Sequence, residues 1–376
     1  MAGRLTDVLP SIAALLGVDG APDRLALTEP LDGVDRVLLV LVDGLGWHLL
    51  PRLAPHAPLL AGVLAGEVGD RRELACTFPS TTPTSLVSLG TGAGPGEHGI
   101  LGFTLDVPGQ DRLLTHITWR GDPPPEQWQP VPTWFARMAA AGVATRAVLP
   151  TAFLDSGLTV AAYGGAEFHG LADERDQAGA LLDTLRAGPG LVYGYTPILD
   201  HAAHVHGIAS EQWQQAAAAV DRLLQGLLAG LPAGAALVVT ADHGGLDVPA
   251  DNRLDVATDP RLAEGLRTVA GEPRVRYLHT RMGAAADVQA SWQAVLGDRF
   301  DVRSREEAIA AGLFGPVRPE HRLRIGDVVA IAQQDWAVIA SGYEPPELAR
   351  LVGFHGARTA AETAIPLITL RPADRD

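Results

Sequence analysis

The chain holds 376 residues, 47% hydrophobic and 19% charged, enough apolar material for one large α/β core with a smaller elaboration. Its formal net charge of −15 repels a polyanion and excludes an extended nucleic-acid surface, although a small phosphate ester could still bind where metals reverse the sign locally. Every basic residue is arginine, which excludes lysine Schiff bases and phosphate clamps, and the lone Cys76 excludes an internal disulfide and fits a reducing, cytoplasmic compartment.

The first apolar run, Val8 to Val18, is interrupted by Pro10 and Ser11 and lacks a strong basic flank. It reads as a surface or packing helix rather than a signal peptide. No run approaches the roughly 20 apolar residues that a membrane span needs. Arg36 to Val42 then reads R-V-L-L-V-L-V, a buried strand, and ends on Asp43-Gly44. A Pro-rich loop is expected over Gly121 to Pro132 and a helix over Thr133 to Ala141. Strands are expected at Thr145 to Leu149, Leu191 to Tyr195, Ala235 to Thr240 and Ile365 to Leu370. Helices over Arg175 to Ala187 and Ser210 to Leu231 separate them. Short apolar strands alternating with amphipathic helices predict an α/β fold: a mostly parallel central sheet with helices on both faces. Residues 259–341 carry more arginine and weaker strand signals, and are expected as an inserted smaller subdomain beside the site. Residues 1–258 and 342–376 then form the catalytic core.

Ligands of such sheets bind beyond the carboxyl ends of the strands. Asp43 follows the first strand there, and C-T-F-P-S-T-T-P-T-S-L places Thr77 shortly before a helix beginning near Thr82. Y-T-P-I-L-D-H-A-A-H supplies Asp200 and His204, V-V-T-A-D-H-G-G supplies Asp242 and His243, and G-F-H-G supplies His355. Taken singly, each has an ordinary reading as a turn residue or helix cap. Together, three aspartates and three histidines beside predicted strand ends match hard and borderline metal ligands.

The order of these segments resembles the nucleotide pyrophosphatase/phosphodiesterase branch of the alkaline phosphatase superfamily. That branch has an Asp after its first strand, a T-F-P nucleophile turn, a G-x-H-G-I segment, D-x-x-x-H, D-H-G and a late His. This chain offers Asp43, Thr77-Phe78-Pro79, Glu97-His98-Gly99-Ile100, Asp200/His204, Asp242-His243-Gly244 and His355, spread over roughly residues 36 to 370. The resemblance implies an alkaline-phosphatase-like fold and two divalent metal ions, zinc first and manganese as the alternative. One ion would be held by Asp200, His204 and His355, the other by Asp43, Asp242 and His243 with the Thr77 oxygen. Thr77 would attack phosphorus, helped by cations about 4 Å apart, and the Phe78 amide could hold a phosphate oxygen. His98 is expected to be structural, and His201 and His206 to be peripheral. The family carries an Asn after the H-G-I segment; here Phe103 and Thr104 stand there, so either Thr104 or a backbone amide replaces that donor, or a different ester is recognised.

No arginine lies in the nucleophile motif, which favours a diester over a monoester dianion. In the family it resembles, the aromatic after the nucleophile stacks on the base, which implies that role for Phe78, with Tyr163 or Phe168 as a second aromatic. The expected substrate is a small nucleotide phosphodiester or pyrophosphate. The compact, Lys-free chain also resembles actinobacterial phosphodiesterases of cyclic di-AMP, which puts a cyclic dinucleotide first among specific candidates. The alternatives are a phosphomonoesterase or phosphomutase of the same superfamily, a phosphonoacetate-type hydrolase whose usual lysine partners cannot exist here, and a nucleotide-binding sensor.

Overall fold

A computed structural model describes residues 3–372. In chain order its principal strands are β1 (Gly3–Arg4), β2 (Arg36–Val42), β3 (Asp70–Ala75), β4 (Thr145–Pro150), β5 (Glu167–Leu171), β6 (Gly190–Thr196), β7 (Ala235–Thr240), β8 (Leu266–Glu272), β9 (Val275–Thr280), β10 (Phe300–Ser304), β11 (Val328–Ala332) and β12 (Ala364–Leu370). Eight of these form the central sheet, in the order β1-β3-β12-β7-β2-β6-β4-β5. All its pairings are parallel except those of β12, which runs antiparallel to both β3 and β7.

Strand β2 lies between β6 and β7. Its residues Val37 to Val42 are all buried, as are all residues of β6, β7 and β12. Successive strand side chains point to opposite faces, so continuous burial means that both faces are covered. Each fully buried Val or Leu there contributes about 1.5–3 kcal/mol. The helices Trp134–Ala140, Gln177–Arg186 and Glu211–Gly230 lie where the amphipathic pattern predicts them. The first apolar run forms a helix over Val8–Leu15, and the Pro-rich segment contains one helical turn at Pro125–Trp128. Strands β3, D-R-R-E-L-A, and β5, E-F-H-G-L, have no apolar run to betray them and are largely open to solvent. Among the described residues, no helix is long and apolar enough to cross a membrane.

The reversed direction of β12 matters for function. In its pairing with β7, Leu367 lies opposite Thr240, and in its pairing with β3, Ala364 lies opposite Ala75. The chain entering β12, from His355 to Thr363, therefore arrives at the same edge that β2, β6 and β7 leave. A second, four-stranded sheet, β8-β9-β11-β10, is antiparallel throughout. Its β8–β9 hairpin has Pro273 and Arg274 at the tip and pairs Glu272 with Val275. That tip meets the β12 approach: both guanidinium nitrogens Nε and Nη2 of Arg274 donate to Glu362, each at 2.8 Å.

Candidate active site

Four chain segments meet at the carboxyl edge of the sheet. Asp43 follows β2 directly, and its N–H donates to Thr196 O at the end of β6. Asp200 and His204 sit on the helix Ile198–His206 that follows β6. The Asp43-Gly44 turn lets that helix come close: a Cβ on Gly44, whose φ is +73°, would lie 2.9 Å from Asp200 Cβ. Asp242 and His243 follow β7, and Asp242 Oδ1 accepts from the N–H groups of Gly44 (3.1 Å) and His243 (3.0 Å). The fourth segment, Ser80 to Thr82, is stitched to the His355 loop. Ser80 N–H donates to Gly356 O (3.0 Å), Ser80 Oγ donates to Ala357 O (2.8 Å), and His355 Nδ1 lies 2.9 Å from Ser80 O. This brings Thr82, the first residue of the helix Thr82–Thr91, to the cluster: its Oγ1 lies 3.1 Å from His243 Nε2.

The ligand atoms fall into two overlapping groups. Those of Asp43, Asp242 and His243 lie within 4.8 Å of one another, and so do those of Asp200, His243 and His355. His204 adjoins the second group, its Nε2 being 3.0 Å from Asp200 Oδ2 and 3.1 Å from His355 Nε2. Each histidine Nδ1 faces a backbone carbonyl: Gly353 O for His204 at 2.7 Å, Gly244 O for His243 at 2.9 Å, and Ser80 O for His355. An Nδ1–H donated to a carbonyl leaves the Nε2 lone pair as the outward ligand atom. The Nε2 atoms of His204 and His355 then face each other, and a positive charge, either a proton on His204 or a metal ion, is needed between them. His243 Nε2 likewise confronts Asp43 Oδ1 (3.4 Å) and Asp242 Oδ2 (3.2 Å), and both of those buried oxygens lack a hydrogen-bond partner. Converging lone pairs on buried atoms repel unless cations stand between them, so these residues fit divalent metals.

Charge follows the same logic. Burial pushes the Asp43 carboxyl well above the usual range, with Asp242 and Asp200 adding to the rise. Asp242 is pushed up to about 6 by burial and by Asp200. Burial also acts upward on Asp200, but His204 outweighs it and the group is held low. At His204 burial is outweighed by Asp200, and the imidazole is raised to about 9. Burial and the neighbouring His243 lower His355 to about 3. Acids this crowded ionise together only if positive charge enters.

A family model described as type I phosphodiesterase / nucleotide pyrophosphatase matches residues 37–358. The chain belongs to this family. It is therefore a hydrolase of phosphodiester bonds, in a metal-dependent branch of the alkaline phosphatase superfamily. No curated protein matches the sequence. Among solved structures, murine ectonucleotide pyrophosphatase / phosphodiesterase 5 is 18% identical, covering 90% of this chain and 89% of its own, with a TM-score of 0.69. An inactive threonine-to-alanine form of that murine protein, in complex with AMP, is 17% identical over 91% of this chain and 89% of its own, with a TM-score of 0.69. Phosphonoacetate hydrolase from Sinorhizobium meliloti 1021, in complex with phosphonoacetate, is 22% identical over 92% of this chain and 91% of its own, with a TM-score of 0.67. At these identities the likeness is one of fold.

In this phosphodiesterase the residues singled out from sequence separate into two places. Asp43, Asp200, His204, Asp242, His243 and His355 come together. Thr77 instead lines a cavity with Cys76, Phe78, Arg24 and Arg358, and its Oγ1 faces Ser85 Oγ at 3.3 Å. Phe78 lines that same cavity and packs on Phe314 at 5.6 Å between ring centroids. Tyr163 is buried with its hydroxyl 2.9 Å from that of Tyr193, so it belongs to the core. Phe103 and Thr104 line a different cavity, one that reaches His204 and His355, but the Thr104 hydroxyl donates to Gly271 O at 2.7 Å. It is therefore already engaged and is not the free donor expected in place of the family Asn. His98 is buried against Ser88 (2.8 Å), and His201 and His206 are exposed.

Sequence reasoning missed Thr82, Tyr195 and Glu272. Tyr195 O–H donates to Asp43 Oδ2 at 2.5 Å. Its place at the end of an apolar strand, one residue short of the edge, was the available signal. Glu272 lies at the end of β8, and only tertiary packing brings it here. Burial pushes its carboxyl up to about 8, while the Thr81 hydroxyl opposes the rise without hydrogen-bond geometry. A raised folded pKa stabilises below the ordinary value of 4.5 and loses that contribution as pH climbs to about 8. Metal-free Glu272→Gln should therefore match the wild type in Tm near pH 5 and exceed it near pH 8. Parallel melting curves across that range test this, and a gap that stays constant with pH would contradict it.

Proposed function

We propose that the enzyme hydrolyses a nucleotide phosphodiester or pyrophosphate, with Thr82 as nucleophile beside two divalent cations. The observation that carries this reading is the Thr82 hydroxyl, 3.1 Å from His243 Nε2 at the start of a helix. The helix start favours an anion at that hydroxyl. In this assignment Asp43, Asp242 and His243 hold one cation, and Asp200, His204 and His355 the other. The Asp/His donors suit zinc, with manganese the alternative. Bound there, the cations would supply the charge that stabilises the attacking and leaving oxygens. Thr82 Oγ attacks phosphorus, the ester bond to the departing alcohol breaks, and the retained half stays on Thr82 until water releases it. Tyr195 orients Asp43, and the Ser80 stitch keeps His355 and Thr82 in register.

The test is hydrolysis of bis-p-nitrophenyl phosphate against p-nitrophenyl phosphate, followed by a dinucleotide panel that includes cyclic di-AMP. Faster turnover of the bis ester is expected. One observation favours a second reading: Arg4, Arg24 and Arg358 line the cavity beside Thr77, so arginines absent from the motif are present around it. Faster hydrolysis of the monoester would transfer the assignment to a phosphomonoesterase. Exhaustive chelation should abolish turnover, and zinc or manganese should restore it with two ions per chain by elemental analysis. Full activity after chelation, or a single ion at saturation, would break the two-cation assignment. The single cysteine fits a cytoplasmic setting.

A further inference from the structure

The cavity that reaches His204 and His355 has a volume of about 350 Å³. Its walls are largely apolar, with Phe103, Leu113, Val269, Leu348 and Phe354 among them. Three acidic side chains also line it: Glu272, Glu344 and Glu347. Arg276 lines it too, but its guanidinium is already paired. Its Nη1 lies 2.7 Å from Glu344 Oε2, its Nη2 donates to Glu344 Oε1 at 2.8 Å, and its Nε donates to Val338 O at 2.8 Å. Glu272 has no such partner. It is 5% exposed, and its Oε1 makes no hydrogen bond. It stands at the inner end of the cavity, because a Cβ on Gly356, the residue after His355, would lie 2.8 Å from Glu272 Cδ. The Thr104 hydroxyl bond to Gly271 O holds the backbone beside it.

We infer that this cavity seats one ester group of the phosphodiester, and that Glu272 hydrogen-bonds a hydroxyl or amino group carried close to the ester oxygen. The inference rests on the phosphodiesterase reading above. It names the substrate class: a diester of a neutral or cationic alcohol bearing such a donor, as ribose, glycerol and ethanolamine do. A second phosphate in the cavity would meet acidic side chains and no free guanidinium, which disfavours it. A cyclic dinucleotide then fits only with its second phosphate outside.

The metal-loaded enzyme can be tested on p-nitrophenyl phosphodiesters of ethanolamine, ethylene glycol, n-propanol and 2-phosphoethanol, with bis-p-nitrophenyl phosphate as reference. The aminoethyl and hydroxyethyl esters should exceed the propyl ester in kcat/KM by about tenfold or more, the scale of a hydrogen bond to an ionisable group. The phosphoethyl ester should be the poorest. In Glu272→Gln the aminoethyl-to-propyl ratio should fall to about threefold or less. No preference in the wild type, a preference kept by Glu272→Gln, or good turnover of the phosphoethyl ester would each overturn the inference. Failure to hydrolyse any diester, the reference included, would instead remove the phosphodiesterase reading beneath it.

Discussion

Replacing Thr82 with alanine should lower kcat by about 10⁴-fold or more, on the scale of removing one member of a catalytic triad, while metal content stays unchanged. Replacing Thr77 with alanine should leave kcat/KM within about threefold, as expected of a substitution away from the reacting atoms. The two threonines are five residues apart in one Ser/Thr/Pro-rich stretch, yet they stand in different surroundings. Thr82 reaches a histidine of the acid cluster, whereas Thr77 reaches Ser85 and a separate arginine-lined cavity. Acid quench during turnover, followed by peptide mapping, should recover the phosphorylated or nucleotidylated residue at Thr82. A dead Thr77→Ala enzyme with a working Thr82→Ala enzyme would return the role to Thr77, and an adduct on neither would make water the direct nucleophile.

The six acids and histidines were legible because the fold places chemistry just after buried strands, and buried strands are the loudest signal in a sequence. R-V-L-L-V-L-V points to Asp43, and A-A-L-V-V-T points to Asp242 and His243. The choice of threonine was not legible in the same way. A T-F-P triplet matches the family pattern locally, but which hydroxyl faces the ligands depends on how Ser80 is stitched to Gly356 and Ala357, some 275 residues later. Phe78 shows the same limit: a large apolar residue beside a motif reads as a stacking platform, and here Phe314 from a distant segment covers it. Glu272 carried no motif at all. An acid at the end of an ordinary strand becomes informative only once the hairpin following it enters the site, and a two-residue tip of Pro and Arg says nothing about where it docks. The direction of β12 was equally hidden, since an apolar strand reads the same whether it runs parallel or antiparallel. That direction nonetheless decides that His355 reaches the carboxyl edge.

Replacing Arg274 with methionine should destabilise the protein by about 3–5 kcal/mol, the range for removing one partner of a buried ion pair. With about 2.1 cal/mol/K of unfolding entropy per residue, a chain of 376 residues loses about 4–6 °C of Tm. Both side chains of the Arg274–Glu362 pair are 0% exposed, and Arg274 Nη1 also donates to Trp336 O at 2.5 Å. Glu362 is a hub for the catalytic edge. Its carboxylate accepts from Ala357 N–H (2.9 Å) and from the Thr359 hydroxyl (2.6 Å), and its backbone carbonyl accepts from Gly244 N–H (2.8 Å). Those bonds hold the residues flanking His355 and His243, so the variant should also lose metal affinity, by about 10- to 100-fold if the hub acts as an outer-shell support of the ligands. The pH dependence has a definite sign. Burial acts to raise Glu362, Arg274 outweighs it, and the carboxyl is held below its ordinary value of 4.5. A depressed folded pKa gives stability that is present above that value and is lost as pH falls through the folded pKa. Without Arg274 burial is no longer opposed by the guanidinium, the folded pKa rises, and the defect should be larger at pH 8 than at pH 5. A double variant, Arg274→Met with Glu362→Gln, should recover part of the lost stability because no uncompensated charge remains, but should not recover the metal affinity that depends on the carboxylate. If Arg274→Met melts like the wild type and binds metal normally, the hairpin tip is docked by its apolar neighbours, and the ion pair does not couple the second sheet to the active site.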